Sequence, residues 1–115
     1  MNTVVLTGVV SREPVARLLA GGAQVLSLEL TTVVDQRNLS VPLSWSNPTD
    51  DLPLQIGDTV CVVGSVRTRF FRAGGSTQAR TEVEVASLCR DDDAIAIDRQ
   101  RAAIEHMLRD VKADE

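Results

Sequence analysis

Three arginines and two phenylalanines fall within six consecutive positions: Arg67, Arg69, Phe70, Phe71 and Arg72. Guanidinium groups meet phosphate oxygens through paired hydrogen bonds, and flat rings offer faces on which unpaired bases stack. The combination is chemistry suited to single-stranded nucleic acid. In an extended chain Phe70 and Phe71 point to opposite sides, so one ring can stack while the other packs. Arg67, Arg69 and Arg72, spaced by two and three, can follow a phosphate backbone along an edge; as solvated strand charges they would instead discourage edge-to-edge pairing.

The elements that must position these residues are strands. Gly57-Asp58 turns the chain into an apolar run, Thr59–Thr68, with Gly64 where a barrel strand would bend, and Gly74-Gly75 turns it back into Ala79–Leu88. Upstream, Thr3–Val10 is β-branched and apolar. Gln24–Val34 alternates, with Leu26, Leu28, Leu30 and Thr32 on one face and Ser27, Glu29 and Thr31 on the other. Leu39–Trp45 alternates again, and its Pro42, which cannot donate to a ladder, predicts an edge or bulge position. Five short strands with glycine turns predict a small all-β barrel, residues 1–90. Residues 91–115 differ: Asp91-Asp92-Asp93 supplies a cap and first-turn acids for a helix from about Ala94 to Lys112, with Ile97, Ile104, Leu108 and Val111 as its apolar stripe.

Several function classes are excluded by what is missing. The lone histidine, His106, falls on the expected tail helix, far from any nucleophile turn, so catalysis has no acid, base and nucleophile set and none is expected. Cys61, Cys89 and one histidine give no structural zinc set, and neither metal nor cofactor is expected. The two cysteines are expected as reduced thiols. No apolar run approaches the roughly 18–20 residues of a membrane span, and no basic-then-apolar leader opens the chain, so a cytoplasmic location is expected. Gly21-Gly22 and Gly74-Gly75 lack the following Lys-Ser or Lys-Thr helix of a phosphate cradle and read as hairpin turns.

Charge is unevenly distributed. Residues 1–90 hold eight arginines against eight acids, whereas residues 91–115 hold four basic and eight acidic residues, which accounts for the net charge of −4. A neutral barrel with a basic face is compatible with a single strand but unsuited to strong nonspecific duplex binding.

Asn2-Thr3-Val4-Val5-Leu6-Thr7-Gly8 followed by Pro14, Arg17, Gly22 and Val25–Thr32, then Gly57-Asp58 through Val66-Arg67-Thr68-Arg69, then Thr81-Glu82-Val83, form an ordered set of blocks across residues 1–88. In that order they resemble the core domain of bacterial single-stranded DNA-binding proteins, an OB-fold family that includes the primosomal protein PriB. The resemblance implies a five-stranded OB-fold barrel with an appended C-terminal helix. It also implies binding of single-stranded DNA with little sequence preference in replication, recombination or repair, and a homotetramer or dimer that shares one strand among several barrels. Phe71 falls where the family stacks a tryptophan, and Arg17 matches a basic position of the first loop, where Arg12 also lies. Arg37 sits in a shortened hairpin. Arg80 precedes the third block, where it could line the groove or pair with Glu82 or Glu84. Trp45 lies near another aromatic position of the family, yet its alternation with Leu39, Val41 and Leu43 places it on the apolar face, and a one-residue slip decides between base and core.

The chain departs from that pattern in places. The connection of about Asp35–Asn38 replaces a long hairpin, and Ser46–Gln55 is too short and proline-broken for the family's helix. Replication or repair proteins are partners that the resemblance implies, but the end, Asp110–Glu115, has neither the glycine-rich linker nor the acidic-hydrophobic tip by which the family recruits them. An alternative is a PriB-like accessory or protein-interaction module with weak or no DNA binding, using the Ile97–Val111 helix as its contact.

Overall fold

The computed structural model describes residues 1–48 and 53–113. Six strands are followed by one helix: β1 (Val4–Val10), β2 (Val15–Leu18), β3 (Gln24–Val34), β4 (Arg37–Ser46), β5 (Thr59–Ala73), β6 (Ser76–Arg90) and α1 (Ala94–Ala113). The sheet runs β1-β5-β6-β4-β3-β2, and β1 also pairs with β3, which closes five of the strands into a barrel. The sixth, β2, continues along the β3 edge that β1 leaves: β1 holds Leu30 and Thr31, and β2 takes Gln24 to Ser27. All four β2 side chains are exposed, so no alternation marks this strand in the sequence.

The alternation of β3 and β4 builds the core. Leu28 and Leu30 face Leu43 and Trp45, joined by Val10, Val60, Val62, Val83, Val85 and Leu88. Gly8 and Gly64 stand where a side chain would strike backbone, against the carbonyls of Thr31 and Glu84. At Gly64 the register slips: Val63 faces Ser87, but Gly64 faces Val85, leaving Ala86 unpaired. The extra residue of this bulge is on β6, opposite the glycine at which the sequence predicts a bend in β5. Pro42 pairs with Glu29 on β3, and β4 meets β6 only from Leu43, so the missing N–H costs no ladder bond on that side.

Two element boundaries differ from expectation. The Asp35–Asn38 connection is shorter still, because Asp35 and Gln36 both take positive φ (49° and 65°) and form a two-residue turn that leaves Arg37 and Asn38 on β4. More consequentially, β5 and β6 do not stop at Thr68 and start at Ala79. They run on as a continuous ladder to Ala73↔Ser76 around Gly74-Gly75. Part of the Ser46–Gln55 segment lies outside the described residues.

Asp93 caps α1, its Oδ1 accepting the Ala96 N–H at 3.1 Å, while Asp91 and Asp92 sit in the preceding turn and the first helical turn carries no acid. Ile97, Ile104, Met107 and Val111 are half-buried, and Leu108, expected in the stripe, is exposed. The helix meets β6, and the Gln100 side-chain amide donates to the Cys61 carbonyl and to Ser87 Oγ, both at 3.0 Å.

Candidate nucleic-acid interface

Pairing of β5 with β1 ends at Val4↔Gly64, and pairing of β6 with β4 covers only Val83 and Glu84. Between Arg67 and Glu82 the two strands therefore have only each other, and they leave the barrel as a two-stranded arm. Its root is clamped by Asn2, whose side-chain amide donates to the Val66 carbonyl at 2.7 Å and accepts the Val66 N–H at 3.0 Å. Opposite residues share a face, so Arg67, Arg69 and Phe71 line up with Glu82, Arg80 and Gln78, while Phe70 and Arg72 lie on the other face. Both rings are open to solvent, Phe70 at 70% and Phe71 at 38%. The Arg69 guanidinium sits 5.9 Å from the Phe71 ring centroid, within the range of a cation–π contact.

The arm's charges are organised around a carboxylate. Glu82 is 4% exposed, and its Oε1 accepts from Arg67 Nε at 3.3 Å and Nη2 at 3.2 Å. Arg67 Nη1 donates to Glu84 Oε2 at 3.2 Å, so this arginine is held by two acids. Arg69 Nε stands 3.8 Å from the same Glu82 oxygen, an ion contact too long for a hydrogen bond, and it has no hydrogen-bond partner. Arg72 donates to the Gly75 carbonyl at 3.2 Å. In the sequence, Glu82 and Glu84 enter only as candidate partners of Arg80. The signal that would have placed them is the two-residue Gly74-Gly75 turn, from which counting outward sets Arg67 opposite Glu82.

Arg80 and Arg12 share a cleft of about 170 Å³ with Val15, Ser27 and Glu29. Arg12 Nε lies 3.2 Å from Glu29 Oε2, and Ser11 Oγ donates to Glu29 Oε1 at 3.1 Å. Arg80 is Arg69's cross-strand partner, so Arg12, Arg80, Arg69 and Phe71 form one sequence of neighbours from barrel to arm. Arg17 projects from exposed β2 opposite Val25, and Arg37 sits at the β3–β4 turn beside Val34 and Leu39. Trp45, 5% exposed, belongs to the core cluster, so its ring has no face to offer a base.

Other reactive groups lie apart. Asp58 Oδ2 accepts the Gln55 N–H at 2.9 Å and pairs with Arg90 Nη2 at 3.3 Å; the backbone hydrogen bond, then the arginine, hold its carboxyl below the usual carboxylate range against a partly opposing desolvation. Arg90 also donates to the Pro53 carbonyl at 2.7 Å. Cys61 and Cys89 face each other across β5 and β6 as free thiols, and burial, with Cys61 adding to it, pushes the Cys89 thiol up. His106 is an exposed helix residue 3.6 Å from Asp110. Among the described residues there is no cluster of three metal-ligating side chains, and no helix is long and apolar enough to cross a membrane.

No protein-family model matches the sequence, and no curated protein is found similar to it. Among solved structures, the chain is similar to one described as Plasmodium falciparum SSB in complex with ssDNA. The two superpose with a TM-score of 0.69 and 24% identity, covering 80% of this chain and 96% of that one. The superposition spans nearly the whole of the other chain, so the likeness is one of the overall fold. The resemblance read from the sequence is thus met at the level of architecture, and this chain is an OB-fold barrel with one C-terminal helix.

Proposed function

We propose that the protein binds single-stranded DNA with little sequence preference, without catalysis, along a path from the Arg12–Arg80 cleft to the β5–β6 arm. The observation that carries this reading is the arm itself, where an exposed Phe71 ring shares a face with Arg69 and Arg80 beyond the last barrel pairing. Phosphates meet Arg12, Arg80, Arg69 and Arg72, with Arg17 and Arg37 as outlying cations, and bases stack on Phe71. The solved SSB similar in fold was captured with single-stranded DNA, which adds to the reading. Stacking supplies about 1–3 kcal/mol per base, and Phe70 and Phe71 are the only exposed phenyl or indole rings on a barrel, so useful affinity calls for several barrels on one strand and hence a dimer or tetramer.

A second reading is favoured by Ile95 and Leu108, which α1 exposes to solvent: an accessory module whose helix docks another protein. Polarisation of a labelled oligo-dT titrated with the protein at two salt concentrations separates the two. Binding that weakens steeply with salt and is reduced by Arg69→Ala and Phe71→Ala supports the first. A folded protein that leaves oligo-dT free at low salt overturns it and turns attention to α1.

A further inference from the structure

Arg67 and Arg69 differ in their freedom, and a single oxygen explains why. Glu82 is buried, and a buried carboxylate left without a partner is costly, so some guanidinium must hold it. Arg67 does so through two hydrogen bonds to Oε1 and is pinned from its other side by Glu84. Arg69 waits at 3.8 Å from that oxygen with its Nε unpartnered. Hydrogen bonds form at about 2.7–3.2 Å, so a shift of under about 1 Å would let Arg69 take Arg67's place.

We propose that Arg67 is a positioning residue: by satisfying Glu82 it leaves the Arg69 guanidinium free, against the Phe71 ring, to meet a phosphate. The inference rests on the arm being the nucleic-acid interface. It assigns two neighbouring arginines different work and leaves Glu82 only a weak competitor for Arg69, through the 3.8 Å ion contact with no hydrogen bond. Removing Arg67 makes the buried carboxylate capture Arg69, and one phosphate contact disappears although the lost side chain touched no nucleic acid.

The test is the dependence of oligo-dT affinity on salt, for wild type, Arg69→Ala, Arg67→Ala and the double variant Arg67→Ala/Glu82→Gln, each checked for folding by thermal melting. Each phosphate contact contributes about 0.7 to the slope of log affinity against log salt on a single strand. Arg69→Ala and Arg67→Ala are each expected to lower the slope by about 0.7. The double variant is expected to restore the wild-type value, since the neutral amide that replaces the Glu82 carboxylate has no charge with which to hold Arg69. That variant contains no unpaired buried carboxylate and so reports even if Arg67→Ala folds poorly. A double variant that keeps the lowered slope shows that Arg67 itself meets phosphate and overturns the proposal, as does an Arg67→Ala slope equal to wild type. Failure of the underlying reading looks different: Arg69→Ala leaves binding unchanged, or wild type does not bind.

Discussion

Two appendages leave this barrel, and they are attached in opposite ways. The arm is a continuation of β5 and β6, so its backbone is one uninterrupted ladder with the wall of the core, clamped at the root by Asn2 and braced by the Glu82 ion cluster. The helix is joined by a short turn and held by the Gln100 bonds and a half-buried stripe. Sequence pattern does not foretell this difference: α1 carries an apolar stripe, and the arm is a mixture of Arg, Phe, Thr and Gly. What decides is the route by which each part reaches the core. A strand that already lines a barrel transmits rigidity outward for nothing more than continued pairing, whereas a helix must bury a face to gain any. The arm is therefore the appendage better suited to hold side chains in a fixed geometry, as the proposed interface requires.

On that contrast, truncating a solvent-facing side chain of the arm is expected to change binding and spare stability, and substitutions around the helix to do the opposite. The largest effect is expected from Phe71→Ala, about 1–3 kcal/mol in oligo-dT affinity with a melting temperature near wild type; a matching loss of stability would show that the ring packs instead of stacking. Next comes Gln100→Ala, which removes two hydrogen bonds between α1 and the barrel and should cost about 1–2 kcal/mol in denaturant unfolding while oligo-dT affinity holds. A binding loss there would tie the helix to the interface and break the comparison. Asp93→Ala removes the cap of α1 and should cost about 1 kcal/mol, visible as reduced helical signal without loss of sheet. The smallest effect is a pH dependence at the far end of the barrel from the arm's tip. The folded carboxyl of Asp58 titrates below its ordinary value of 3.8, so its stabilising contribution is complete above that pH and is lost as pH falls through the lower, folded value. Asp58→Asn should flatten that acid limb of the stability curve without altering salt-dependent binding at neutral pH.

The barrel was legible because its strands alternate. Leu28, Leu30, Leu43 and Trp45 fall on the inward face by counting in twos, and Gly64 and Pro42 announce their irregularities. Where alternation is absent the reading failed. β2 has no buried residue to give it a period, and the outer half of the β5–β6 hairpin has no core on either side, so its extension follows from turn geometry and not from hydrophobic pattern. For the proposed interface, residue type singled out the arginines and Phe71, but not that Arg67 is hydrogen-bonded to two acids while Arg69 makes only a 3.8 Å ion contact. Arg80 is by sequence a candidate partner for Glu82 or Glu84; all three lie on one face of β6, and the guanidinium that crosses to both acids is Arg67. A 4% exposed glutamate in a polar segment leaves no mark in composition, because its burial is supplied by the partners that neutralise it.

The clamp of Asn2 on Val66 has a mechanical side. Arm and barrel share the same two strands, so a pull at Phe71 is carried as torque along a lever whose fulcrum is the root. There the Asn2 amide rivets the start of the chain to β5, and the slipped register at Gly64 offers the nearest bend. Load applied at the arm's tip would thus meet the β1–β5 seam before the rest of the barrel.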